Sequence, residues 1–236
     1  MSNEYSLTAT LYDPFLYAFL SRLRRLITRS LAHDKQQRIL DLCCGTGSQL
    51  RDLERVGFTD LHGVDLSPDM LRVARRGNHS FTLYECDATA TGLESALFDA
   101  VILSLSIHEK PREIHRAMLT EAHRLLKPAG TLLIVDYDFG PRSRRLARAI
   151  ITLIERIAGK EHYRNFRAFI GAGGLGSLLP PHLWTHVQST PVLLGAAVVA
   201  TYTKAPPTGD ALAAAIDKYR VQAHYLHHHC FVEHDW

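Results

Sequence analysis

The chain has 236 residues, 46% of them hydrophobic and 22% charged, which suits one globular domain large enough to build its core without disulfides or metals. Its 27 basic and 24 acidic side chains leave a net charge of +3, too little to point to nucleic acid, and the basic residues form no aromatic-interleaved block. Four cysteines, two of them adjacent at Cys43 and Cys44, fit neither a disulfide framework nor paired zinc knuckles, so reduced thiols in a cytoplasmic protein are expected.

The first 20 residues carry Glu4 and Asp13 instead of a basic stretch followed by an apolar core, so they do not read as a signal peptide. The longest apolar run, 192–200, falls far short of the roughly 20 residues that cross a bilayer, and no stable membrane insertion is expected. Residues 10–32 read as an amphipathic helix, with Leu16, Leu20, Leu23, Ile27 and Leu31 at helical spacing. Tyr5, Tyr12, Asp13, Phe15 and Tyr17 cluster at its start, either packed on the domain or acting as a lid. Arg22, Arg24, Arg25 and Arg29, like Arg142, Arg144, Arg145 and Arg148, are spaced as solvated helix faces.

Residues 38–42 have the branched, apolar character of a short buried strand, and Gly45 and Gly47 follow where the chain must turn into a helix. Glycine reaches positive φ at low cost and leaves room for a ligand against the backbone, so a ligand site is the first hypothesis. About twenty residues on, a second strand over 63–66 ends at Asp65, where a nucleotide-binding sheet places the acceptor for ribose hydroxyls. A dinucleotide fingerprint would want a small residue where Leu50 stands. Asp41, four residues before Gly45, would repel a pyrophosphate but suits a ligand with a cationic amine and sulfonium.

Ser67 then caps a helix over 68–76, and 81–86 alternates as a third strand. Residues 98–104 read as a buried fourth strand, 112–126 as a helix, 131–137 as a fifth strand and 146–157 as another helix. Strands over 190–194 and 197–204 make seven, and a helix over 210–228 follows. The expected fold is α/β: a Rossmann-like, seven-stranded, mostly parallel sheet with helices on both faces and helical additions at each end. One domain is expected, with an N-terminal helical lid region over 1–37, a core over 38–204 and a C-terminal helical extension over 205–236.

Asp-Leu-Cys-Cys-Gly-Thr-Gly-Ser at 41–48, Val-Asp-Leu-Ser-Pro-Asp-Met-Leu at 64–71 and Leu-Lys-Pro-Ala-Gly-Thr-Leu at 126–132 resemble the signature segments of class I S-adenosylmethionine (SAM)-dependent methyltransferases. The likeness is greatest to the branch with ubiquinone/menaquinone-biosynthesis and phospholipid methyltransferases. It runs from about Arg38 to Tyr137, with Cys43 standing where the commonest motif has glycine. The resemblance implies S-adenosylmethionine as methyl donor and a cofactor site of Asp41, Cys43, Gly45, Thr46, Gly47, Asp65, Leu66, Met70, Asp87, Ala88 and Ser104. Asp87 would meet the adenine amino group, Tyr12 would belong to a lid over the cofactor, and the segment over 159–181 would face substrate. No metal ligand is assigned.

Such an enzyme transfers methyl to a small-molecule acceptor by in-line displacement and releases S-adenosylhomocysteine. Its main task is to hold the nucleophile in line in a dry pocket. His108, in the loop after the fourth strand, is the candidate general base, with Glu109 to orient it or titrate with it; the alternative is that it shapes the pocket or caps the next helix. A non-catalytic SAM-binding subunit and a nicotinamide-dependent oxidoreductase remain as other readings. The tail over 223–234 holds five of the chain's fourteen histidines, with His224, His227 and His228 at i, i+3 and i+4. That spacing permits a metal site, although it matches no fixed zinc pattern, and a tail folded over the cleft without metal is the other reading.

Overall fold

The computed structural model describes residues 14–31, 34–205 and 231–232. Helix α1, Pro14–Ser30, leads into strand β1, Arg38–Leu42. Then come α2 (Ser48–Arg55), β2 (Asp60–Asp65), α3 (Pro68–Ala74), β3 (Thr82–Glu85), β4 (Phe98–Ser104), α4 (Arg112–Leu125) and β5 (Leu126–Tyr137). Helices α5 (Arg145–Ile157) and α6 (Lys160–Gly171) precede the antiparallel pair β6 (Trp184–Val192) and β7 (Ala197–Lys204). The strand order is β6-β7-β5-β4-β1-β2-β3-β8, in which β8 is the two-residue Phe231–Val232 set antiparallel against β3.

The seven expected strands are present, and four neighbouring pairs run parallel, which places the helical crossovers on the faces of the sheet. Alternation along each strand sends Leu40, Val101, Leu132 and Ile134 to one face, under α4, α5 and α6 through Met118, Ala122, Ile151, Phe166 and Phe169. The opposite set, Ile39, Ala100, Ile102, Leu133 and Val135, packs under α1, α2 and α3 through Leu23, Ile27, Leu50, Leu53, Leu71 and Ala74. Both faces are therefore covered, and in an open sheet of this kind ligands bind outside the carboxyl ends of the strands. There β1 is flanked by β2 on one side and β4 on the other, the point where the strand order reverses.

Some boundaries differ from expectation for identifiable reasons. Strand β2 starts at Asp60 because Asp60, Leu61 and His62 pair with Arg38, Ile39 and Leu40 and so extend the parallel register with β1 ahead of the glycine. Strand β6 runs over Trp184–Val192 instead of 190–194: it is an edge strand whose Thr185, His186, Val187, Gln188 and Ser189 are exposed, so no apolar alternation marks it. The backbone over Leu193–Gly195 is a 3₁₀ turn. Arg24 is not a solvated residue but pairs with Asp52 at 2.8 Å, joining α1 to α2, and Arg148 donates to the Gly140 carbonyl. Arg142, Arg144 and Arg145 are exposed as expected, and α5 also exposes large apolar side chains, Leu146, Ile150, Leu153 and Ile157. Within the C-terminal extension read as helical, residues 231–232 form a strand, and the expected helix over 210–228 lies outside the described residues. Among the described residues no helix is long and apolar enough to cross a membrane.

Candidate functional site

The turn after β1 is built on left-handed backbone at Cys43, Gly45 and Gly47, with φ of 73°, 53° and 72°. Cys43 and Cys44 both donate their amides to the Val64 carbonyl at 2.9 and 2.8 Å, which draws the turn toward the end of β2. A side chain at Gly45 would enter open space with nothing within 4 Å, whereas one at Gly47 would stand 3.1 Å from the Cβ of Ala74. The two glycines thus do different work: Gly47 lets α2 and α3 approach, and Gly45 keeps the crevice clear. Leu50 is fully buried, and its Cδ1 lies 2.8 Å from where a Cβ on Gly63 would fall. Close packing at this crossing is therefore achieved by a glycine on β2, not by one on the helix.

Asp65 closes the turn. Its Oδ2 accepts from Gly45 N–H at 2.7 Å and its Oδ1 from Ser67 N–H at 2.9 Å. Burial raises the Asp65 pKa, against the lowering effect of those two amides. Asp41, 3% exposed, has its carboxyl pushed up to about 7 by burial first and then by the neighbouring Asp65 charge. Burial also pushes the Cys43 thiol up to about 12, and Cys44 well above its ordinary range, so neither is a thiolate at neutral pH. Two acidic groups thus lie below the turn, with Lys110 the cation whose charge reaches Asp65, which is a poor cradle for a pyrophosphate.

The other expected cofactor residues within the described chain lie at or just beyond the carboxyl ends of β1 to β4. Thr46 lies in the turn, its carbonyl held by Arg51 at 2.7 Å. Leu66 is exposed at the tip beyond β2, and Met70 sits in α3, where its amide donates to the Ser67 cap at 3.3 Å. Asp87 is exposed after β3 and accepts from the Thr89 amide and hydroxyl, both at 2.7 Å, while Ala88 is buried in the core beside it. Ser104 ends β4, and the following Leu105 takes φ 53°, turning the chain into the 105–111 loop. Tyr12 lies outside the described residues, as do the tail histidines.

His108 sits in that loop, but its surroundings are not those the sequence suggested. Asp136, fully buried on β5, accepts from the Ile107 and His108 amides at 3.1 and 3.2 Å and lies 2.7 Å from His108 Nδ1. On the other side of the ring, Nε2 is 3.5 Å from Glu155 Oε2. Burial alone would favour a neutral imidazole, yet Asp136 and then Glu155 outweigh it and hold the pKa up at about 10. The ring is thus set to carry a proton, and the carboxylates on it are Asp136 and Glu155. Glu109 pairs instead with Lys110 Nζ at 2.6 Å and lies 3.5 Å from His162 Nδ1.

The segment over 159–181 contributes α6, and it packs directly on the loop. Asn165 Nδ2 donates to the Glu109 carbonyl at 2.8 Å, and the rings of His162 and Phe166 lie 5.5 and 6.4 Å from that of His108. His162 Nε2 approaches Glu155 Oε2 at 2.5 Å, and Tyr137 donates its hydroxyl to Glu155 Oε1 at 2.8 Å. Burial raises the Glu155 pKa, but His108, His162 and Tyr137 together bring it down to about 2. Asp136, Tyr137 and Glu155 were absent from the sequence-based site, and His162 and Asn165 entered it only within the substrate-facing segment over 159–181. Two of them carried a signal: Asp136 interrupts the apolar run of β5, and Glu155 continues the buried Ala147, Ile151 spacing of α5.

Residues 39–130 match a family model described as a methyltransferase domain. The match runs from β1 into β5 and includes the glycine turn and Asp65. An uncharacterized methyltransferase of Synechocystis is 31% identical over 134 residues, 52% of this chain and 63% of that protein. A demethylmenaquinone methyltransferase of Renibacterium salmoninarum is 31% identical over 125 residues, 51% of each chain. The match therefore spans between half and two thirds of these relatives' lengths. The fold of the domain is shared with the 1,6-didemethyltoxoflavin N1-methyltransferase of Burkholderia thailandensis, solved with S-adenosylhomocysteine, at a TM-score of 0.52 and 16% identity, over 87% of this chain and 92% of that one. Within the matched residues the glycine turn, Asp65 and the loop after β4 all lie at the carboxyl edge of the sheet.

Proposed function

We propose that the chain transfers a methyl group from S-adenosylmethionine to a small organic acceptor, releasing S-adenosylhomocysteine. The observation that carries this reading is the pairing of a carboxylate, Asp65, with the open left-handed turn at Gly45, over a second buried carboxylate, Asp41. The donor supplies an electrophilic methyl on a sulfonium. Asp65 retains lone pairs beyond its two amide bonds and can accept from ribose hydroxyls. Asp41 offers negative charge to the donor's amine side, and Asp87 at the end of β3 offers an acceptor to the adenine. Gly45, Cys43 and Thr46 present backbone and small side chains, so the ligand can approach the turn closely.

Residues 105–111, with Ser104 before them, face the same crevice and are pinned from behind by Asp136 and Asn165. A rigid loop at this position favours alignment of acceptor, methyl and sulfur, the geometry on which an in-line displacement depends. His108 acts here as a positioning residue held between Asp136 and Glu155, and Lys110 and Glu109 are the ionisable side chains of the loop whose charges reach Asp65. The likeness to demethylmenaquinone methyltransferases supports a small organic acceptor. The decisive experiment incubates the protein with S-adenosylmethionine carrying a labelled methyl and a panel of small quinols, phenols and amines. Label transfer to one of them supports the reading, and S-adenosylmethionine binding without transfer to any class would favour a non-catalytic binding subunit.

A further inference from the structure

Behind the loop after β4, three ligand-type side chains from three elements converge: His108 from the loop, Glu155 from α5 and His162 from α6. One atom of each lies within 4.8 Å of the other two. The two imidazoles meet on the same oxygen, Glu155 Oε2, at 3.5 and 2.5 Å. That oxygen is buried, yet no N–H is directed at it in hydrogen-bonding geometry. An ordinary ion-pair network would align at least one ring N–H with the oxygen.

Each of the three also has an outer partner on its far side. Asp136 Oδ1 is 2.7 Å from His108 Nδ1, Glu109 Oε2 is 3.5 Å from His162 Nδ1, and Tyr137 donates its hydroxyl to Glu155 Oε1 at 2.8 Å. Both rings thus turn Nε2 inward with a carboxylate behind Nδ1, the arrangement that fixes the tautomer of metal-bound histidine.

We propose that His108 Nε2, His162 Nε2 and Glu155 Oε2 bind one divalent first-row transition ion, which displaces the proton that His108 Nε2 carries in its absence. Two imidazoles and one carboxylate suit zinc or ferrous iron and disfavour magnesium or calcium, which take oxygen ligands. Bonds of about 2.0–2.1 Å in a tetrahedral site place neighbouring ligand atoms about 3.3 Å apart, close to the 3.5 Å between His108 Nε2 and Glu155 Oε2, while His162 Nε2, at 2.5 Å, draws back to admit the ion. The His162 side chain is 23% exposed while His108 and Glu155 are 5% and 4%, so the ion enters past α6. Three protein ligands leave an open position for water or an oxygen of another molecule. Glu109 joins this centre to the loop that borders the Gly45 turn, so the ion sits behind the proposed acceptor side of the crevice.

The test uses full-length protein stripped with a chelator and titrated with Co²⁺, read by visible absorption and by the shift in thermal midpoint. One tightly bound equivalent with ligand-field bands, competed by Zn²⁺, is expected. His162→Ala, at a partly exposed position that should fold, should weaken Co²⁺ binding at least about tenfold, and Glu155→Gln likewise, in line with loss of one ligand. Failure of the wild type to bind one equivalent would overturn the proposal. So would undiminished binding in His162→Ala, which would assign the ion to another part of the chain such as its histidine-rich tail. Neither outcome bears on methyl transfer, which is read separately.

Discussion

Asp65 Oδ2 accepts a 2.7 Å hydrogen bond from the amide of Gly45, so the carboxylate ending β2 is tied to the turn that follows β1. The bond fixes the carboxylate's direction before any ligand arrives and leaves acceptor capacity facing the crevice. Asp65→Ala should weaken S-adenosylmethionine binding by about 1.5–3 kcal/mol, the worth of hydrogen bonds to a charged group. Isothermal titration calorimetry on the folded variant checks this, and an unchanged affinity would remove Asp65 from the cofactor site.

Asp41 gives binding a pH dependence. Its pKa is raised to about 7 in the free protein, and a cationic ligand beside it would lower that value again. Below about pH 7 binding then releases a proton, so affinity should rise about tenfold per pH unit from roughly 5.5 and level off near 7. Asp41→Asn should flatten this slope. Calorimetry in buffers of different ionisation enthalpy measures the proton release directly, and a pH-independent affinity in the wild type would count against Asp41 as the group involved.

Gly63 has no room for a side chain: a Cβ there would lie 2.8 Å from Cys44 Sγ, Leu50 Cδ1 and Leu83 Cδ2. Gly63→Ala should cost about 1–3 kcal/mol through overpacking. Urea denaturation would report it as a lower midpoint at an unchanged m-value.

His123 predicts an acid-side loss of stability. Burial, followed by the nearby Lys204 charge, lowers its pKa to about 4, and its ring rests edge-on against Trp184 at 5.2 Å. Because the folded value lies below the unfolded one, the unfolded state binds the extra proton between about pH 6.5 and 4. The contribution is complete above that window and falls by up to about 3 kcal/mol across it. His123→Phe keeps an aromatic ring on Trp184 and should remove that part of the pH dependence. Thermal midpoints of both proteins from pH 7 to about 4 decide the matter.

The core of the fold was legible because β1, β4 and β5 are buried on both faces and read as apolar runs, and because Gly45, Gly47 and Asp65 stand at spacings with a single structural meaning. Strand β6 was misplaced since an exposed edge carries no apolar alternation. The surroundings of His108 were hidden for a different reason. Asp136, Glu155 and His162 reach it from β5, α5 and α6, and contacts 28 or more residues apart leave no local pattern. Glu109 was the sequence neighbour and hence the natural partner to expect, but the turn of the loop sends its carboxylate to Lys110 and His162.

The central claim is that the Gly45 turn and Asp65 hold S-adenosylmethionine, and one calorimetric comparison tests it most directly. Wild-type protein titrated with S-adenosylmethionine, S-adenosylhomocysteine and NAD should bind the first two at one site and NAD not at all. Binding of NAD with no binding of either adenosyl ligand would contradict the account.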